Sequence, residues 1–147
     1  MPIHIVIQDA DVVLNQFTTL IRKLDNPRSA LEDVRKDFFD VERRWFSSEG
    51  EGTWAPLSAS TLRSKPRGDG ILVRTGALRA SLTQAGARYG YNRINRATLF
   101  LGTTHPAASF HELGAPRANL PRRELIGVSE RDTERWSKLI ASRIAED

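Results

Sequence analysis

"ARYGYNRINRATLFLGT", residues 87–103, decides the class of the fold. Leu99 and Leu101 alternate with Phe100, and Tyr89 alternates with Tyr91. Alternation at period two is the mark of a strand with one covered face. The stretch therefore predicts two antiparallel strands joined by a polar turn near residues 92–95. What flanks it reads differently. On the N-terminal side, Leu31, Val34, Phe38, Val41 and Trp45 recur at three- and four-residue spacing. That is an apolar stripe along one face of a helix. It predicts a helix over residues 27–47, about 30 Å long. Asn26 is a suitable N-cap, and Pro27 fits the first helical position. On the C-terminal side, Trp136, Leu139, Ile140 and Ile144 form a second stripe. Ser129 precedes it with Asp132 three residues later, a partial capping box.

Further out, "IHIVIQ" places Ile3, Ile5 and Ile7 on one face of a strand, and Val13, Phe17, Leu20 and Leu24 predict an earlier helix. "SSEGEGT" reads as a mobile loop, Ser58 as the cap of a short helix through Ser64, and "PRGDG" as a turn. Thr75 reads as the cap of a short helix carrying Leu78 and Leu82. "HPAASFHELG" predicts another short helix that ends at Gly114. Helices are grouped rather than alternating with strands. The expectation is one α+β domain over residues 1–147, with an antiparallel β-sheet packed against two N-terminal helices and a C-terminal helix.

Composition narrows the classes of function. Hydrophobic residues make up 39% and charged residues 27%, which is a globular balance rather than a disordered one. No apolar run approaches the roughly 20 residues of a membrane span. The N-terminus has no basic stretch followed by a long apolar core, so no signal peptide is expected. Cysteine is absent, which excludes disulfide and thiolate chemistry and fits a reducing compartment. The net charge is +4, and 18 of the 22 basic residues are arginine. Arginine suits contacts with carboxylates and phosphates. A GC-rich genome produces the same bias.

"FHELGAPRANLPRRELIG", residues 110–127, poses the chemical question most sharply. His111–Glu112 invites the zinc motif H-E-x-x-H, but the second histidine position holds Ala115. His105, His111 and Glu112 remain the only set to weigh for a metal-dependent hydrolase. No G-x-S-x-G elbow, Walker A loop or dinucleotide fingerprint occurs. No catalytic residues, cofactor site or metal site are expected. Arg117, Arg122 and Arg123, together with Arg88, Arg93 and Arg96 around Tyr89 and Tyr91, permit a basic nucleic-acid-binding module as the alternative reading. Tyrosines alternating on a hairpin are also ordinary sheet residues.

Four stretches in order carry a more specific pattern: "EGTWAPLSASTLRSK", "ILVRTGALRASL", "LGTTHPAASFHELGA" and "LPRRELIGVSERD". They place Trp54, Pro56, Leu57, Ser58, Thr61, Leu72, Thr75, Gly76, Leu78, Ser81, Gly102, Thr103, Ala108, His111, Gly114, Pro121, Arg123 and Gly127 in sequence. This order resembles the phage virion morphogenesis family, which includes Mu-like and related tail-completion proteins. The resemblance runs from Glu51 to the end, and the loop before Pro121 departs from it in being short. It implies a non-enzymatic structural protein of the neck or tail end, where the tail is completed and joined to the head. It implies a hexamer-like homo-oligomeric ring, contacts with other neck, connector or tail proteins, and non-specific contact with DNA in a channel. It implies no cofactor and no membrane. In that reading Trp54 and Leu57 pin a loop to the core, and Thr75 and Gly76 fix a tight turn before Leu78. His111 to Gly114 close a short helix, and Pro121, Arg122 and Arg123 fix an exposed loop near the ring contacts.

Overall fold

Helix α1 (Arg28–Ser47) is the spine against which the hairpin and the closing helix pack. In the computed structural model, the described residues are 27–65 and 70–146. The predicted strand at residues 3–7, the predicted helix at residues 11–24, the Asn26 cap and most of the predicted turn at residues 66–70 lie outside them. The buried face of α1 carries Ala30, Leu31, Val34, Phe38, Phe39, Val41, Glu42 and Phe46. Pro27 stands one residue before the helix rather than in its first position, and its carbonyl accepts from the Leu31 N–H at 3.0 Å.

The segment after α1 is not the loose loop its composition predicts. Glu49, Gly50, Glu51 and Gly52 all take positive φ, from 51 to 77°. This left-handed turn reverses the chain and tucks Gly50 under the Trp54 ring. A Glu49 carboxylate oxygen then accepts from the Ile71 N–H at 3.0 Å. Helix α2 (Ala59–Ser64) follows, with the Ser58 side chain accepting from the Thr61 N–H. Helix α3 (Ala77–Thr83) is entered through Gly76 at φ 80°, and Thr75 Oγ1 accepts from the Ala77 N–H at 3.3 Å. The capping position is therefore Gly76, with Thr75 one residue outside it. Only a residue tolerant of the left-handed region turns the chain so abruptly.

Strands β1 (Gly90–Asn95) and β2 (Thr98–Thr103) pair antiparallel with Asn95 opposite Thr98. The turn is thus Arg96–Ala97, not the predicted 92–95, with Arg96 at φ 48°. Residues 92–95 belong to the ladder because Asn92 and Ile94 face inward opposite Leu101 and Leu99. Tyr91, Arg93 and Phe100 share the exposed face. The hairpin is joined to α3 by a hydrogen bond between Ser81 Oγ and Thr103 Oγ1 at 2.7 Å.

Helix α4 (Ala108–Leu113) ends at Gly114, φ 73°, followed by a short 3-10 turn (Pro116–Ala118). The closing helix α5 (Glu130–Glu146) packs against α1. Its capping box is complete: the Ser129 N–H donates to Asp132 Oδ2 at 2.8 Å, and the Asp132 N–H donates to Ser129 Oγ at 3.3 Å. Burial works against the Asp132 charge, but those bonds and Arg135 outweigh it and hold the carboxyl below its usual range. Asp37 of α1 accepts from Trp136 Nε1 at 2.6 Å and from Arg135. The α1–α5 seam thus joins an aromatic contact, Phe38 with Trp136, to an ionic one. The core of Phe38, Phe39, Phe46, Trp54, Ile71, Leu78, Leu82 and Leu125 draws on α1, the loops around α2, α3 and the connector before α5, with Leu101 of β2 and Ala108 of α4 packed against it.

Candidate functional site

Residues 121–128 run extended between the 3-10 turn and α5 without joining the hairpin. Backbone groups in such a segment need partners from elsewhere when buried. Here side chains and one carbonyl supply them at every second residue. The Arg123 N–H donates to His111 O at 2.7 Å, the Leu125 N–H to Glu112 Oε2 at 2.7 Å, and the Gly127 N–H to Glu42 Oε1 at 2.8 Å. The alternate side chains follow suit: Arg123 and Leu125 are buried, while Arg122, Glu124 and Ile126 are exposed. The Glu124 carbonyl accepts two indole N–H groups, from Trp45 and Trp54. Gly127 lies so close to Trp45 that an added Cβ would sit 2.2 Å from the ring.

Glu42 is the least expected member of this latch. It is fully buried, and Oε2 has no hydrogen-bond partner among the described residues. Burial pushes its carboxyl up to about 8. The Gly127 N–H pulls it back, while Asp132 and Glu112 add to the rise. A buried carboxyl of this kind is neutral near pH 7.

The residues singled out from the sequence divide into two groups. Leu57, His111, Gly114, Pro121, Arg122 and Arg123 come together along one groove of about 1170 Å³ between α2 and the connector. Trp54, 5% exposed, lies beneath the connector, edge-on to Phe46 with ring centroids 5.2 Å apart. Thr75, Gly76 and Leu78 do not line the groove, and Leu78 belongs to the core. The expectation of an exposed loop at residues 121–123 holds for Pro121 and Arg122 but not for Arg123, which is 4% exposed. Its Nε and Nη2 donate to the carbonyls of Ala55 and Pro56 at 2.9 and 3.2 Å. It thereby ties the connector to the loop before α2, a job its neighbour Arg122 cannot share from the opposite side of an extended chain.

The three residues weighed for a metal are differently occupied. His105 Nδ1 accepts from the Ala107 N–H at 3.1 Å and its ring meets Tyr89 edge-on. Glu112 holds the Leu125 N–H and faces Arg122 at 3.6 Å. His111 keeps Nδ1 buried without a partner among the described residues, and burial, then Arg123 and His105, hold its pKa below the usual histidine value. Among the described residues no group of three His, Asp or Glu could hold a metal ion. No described helix is long and apolar enough to cross a membrane.

Glu42 escaped the reading of the sequence, and Glu112 entered it only as a metal-site candidate, not as the partner of the Leu125 N–H. The available signal was a lone acid, Glu42, set between Phe38 and Phe46 at four-residue spacing on an otherwise apolar face.

Among comparisons with known proteins, the family model described as the phage virion morphogenesis family matches residues 8–145. No curated protein and no solved structure matches the chain.

Proposed function

From the premise that this chain belongs to the phage virion morphogenesis family, we propose that it is a structural component of the neck or tail end of the virion. It completes the tail and joins it to the head as one subunit of a closed, hexamer-like homo-oligomeric ring. It assembles in the host cytoplasm and contacts other neck, connector or tail proteins. The observation that carries this reading is the use to which the landmark residues are put. Trp54 and Arg123 brace a connector, Leu57, His111, Gly114, Pro121 and Arg122 line an open groove beside it, and among the described residues none of these is paired with a second side chain as a nucleophile is with its base. Rigidly braced structural subunits of this kind suit repeated contacts, and such contacts close into rings when the rotation permits.

One further observation favours weak contact with DNA passing through such a ring. Tyr91, Arg93 and Phe100 share the outer face of the hairpin, with Arg96 at its turn. Contact of this kind is independent of base sequence and falls steeply with salt. It supplements the structural role and does not make a dedicated nucleic-acid-binding module.

The test is the mass of the purified chain in solution, by native mass spectrometry and light scattering over a range of concentrations. A discrete closed oligomer is the expected result. A monomer at every concentration, also in the presence of purified neck and tail proteins, removes the ring.

A further inference from the structure

Arg123 is a buried guanidinium with no carboxylate partner among the described residues. The two carbonyls it reaches, of Ala55 and Pro56, orient it without neutralising it. Burial alone lowers its pKa from the ordinary arginine value. An uncompensated buried charge is costly, and nature usually pairs it. His111, on the same groove, adds a buried Nδ1 that has no partner among the described residues.

The groove above them has an apolar floor that includes Leu57, Leu72 and Leu120 and a cationic rim of Lys65, Arg74 and Arg122. No Asp or Glu lines it among the described residues. Lys65 is held by the Gly70 carbonyl and Arg122 faces Glu112, but Arg74 is exposed and has no ion-pair partner among the described residues. Among the described residues the groove is therefore short of negative charge at its base and at its rim.

We propose that this groove receives an extended, acidic segment of a neighbouring protein, with one carboxylate seated on Arg123 and an apolar side chain on Leu57 and Leu72. That the neighbour is a protein of the same particle rests on the assembly reading above; the carboxylate chemistry rests on Arg123. A guanidinium takes a carboxylate in a planar fork, and the pairing is strongest where water is excluded. A second copy of this chain is a poorer occupant. Among the described residues its exposed acids offer no free extended segment: those on helices include Asp40, Glu130 and Glu134, Glu51 lies in a tight left-handed turn, and Glu124 lies in the braced connector. DNA is also poorer, because phosphate contacts are made by exposed cations and need no apolar floor.

The experiment is fluorescence anisotropy on the full chain with a labelled short peptide alternating glutamate and leucine. Controls are a lysine–leucine peptide, an all-glutamate peptide and a short DNA duplex. Saturable binding of the glutamate–leucine peptide is expected, and none of the lysine–leucine peptide. Loss of one charge-assisted hydrogen bond corresponds to at least about tenfold in affinity. That loss is expected in Arg123→Lys, and also in Lys65→Glu with Arg74→Glu, a surface pair that leaves the core untouched. No binding of the glutamate–leucine peptide overturns the proposal. So does equal binding of the all-glutamate peptide, or displacement of the peptide by stoichiometric DNA, either of which means a mere polyanion surface. A change in the chain's own oligomeric state in the rim variant makes the occupant a second copy and also overturns it. Native mass measured on the same samples separates the two readings. A discrete oligomer that ignores the peptide sinks the groove proposal alone, and a persistent monomer that binds it sinks the ring alone.

Discussion

Trp45 and Trp54 donate their indole N–H groups to one carbonyl oxygen, that of Glu124, at 2.9 and 2.8 Å. The rings meet edge-on with centroids 6.4 Å apart. One comes from the last turn of α1 and the other from the loop beyond the left-handed turn. Together they clamp the connector from the side of the core.

Shared acceptance makes the two indoles partly redundant. Trp54→Phe retains most of the buried ring and is expected to cost about 1 kcal/mol, since Trp45 still satisfies the carbonyl. Trp54→Ala removes the ring as well and is expected to cost about 3–5 kcal/mol. Combining Trp45→Phe with Trp54→Phe should cost more than the sum of the single changes, because only then is the carbonyl left without a donor. Urea unfolding of the four variants measures this, and strict additivity would refute the clamp.

Gly127 and Gly76 are needed for opposite reasons, and alanine distinguishes them. At Gly127 an added Cβ would meet the Trp45 ring at 2.2 Å. Gly127→Ala is expected to cost about 1–3 kcal/mol through overpacking and to alter the tryptophan emission. At Gly76 a Cβ meets nothing within 4 Å, but φ is 80°. Gly76→Ala is expected to cost about 1–2 kcal/mol through backbone strain alone, with Gly76→Asn less damaging. Emission spectra and thermal melts read both effects.

Glu42 makes stability depend on pH in a definite direction. Its carboxyl is raised from 4.5 to about 8 in the folded chain. The folded state therefore holds a proton that the unfolded state releases. The stability this provides is full below about 4.5 and is lost as pH rises through 8. Glu42→Gln keeps an acceptor for the Gly127 N–H and cannot ionise. The parent chain is expected to lose stability between pH 5 and 8 in urea titrations and the variant to flatten that decline, and an unchanged slope would assign the titration to another group.

The seam between α1 and α5 rests on Asp37. Asp37→Asn weakens its bonds to Arg135 and Trp136, which lie at 2.5 and 2.6 Å. The Arg135 side is exposed, so the ion pair itself is worth less than about 1 kcal/mol. The larger loss is expected from the half-buried indole bond. Asp37→Leu should therefore destabilise more than Arg135→Ala in thermal melts, and the reverse order would mean that the ion pair dominates.

The capping box at Ser129 gives a local counterpart. Ser129→Ala removes the side-chain acceptor for the Asp132 N–H and is expected to cost about 1 kcal/mol. Amide exchange in the first turn of α5 should rise with little change at its far end.

Local order was legible wherever it is written in local spacing. The stripe Leu31, Val34, Phe38 and Val41 gave α1, and Ser129 with Asp132 gave the start of α5, because helix period and capping depend on residues a few positions apart. The hairpin was legible and its turn was not. Asn92 and Asn95 look like turn residues, yet the inward placement of Ile94 fixes the register and moves the turn to Arg96. The loop "SSEGEGT" looked mobile because its composition is polar, and only Trp54 and Ile71 pull it into a tight turn.

What the sequence determined by itself is the order of elements from residue 28 onward, the α+β class and the series of landmarks that identifies the family. The tertiary structure alone decided which landmarks meet. Ser81 and Thr103 share a hydrogen bond across 22 positions, and Glu42 waits for a backbone N–H 85 positions away. Arg122 and Arg123 are identical letters in the chain. One is exposed and the other buried, because an extended segment turns successive side chains to opposite sides and only one side faces the carbonyls of Ala55 and Pro56.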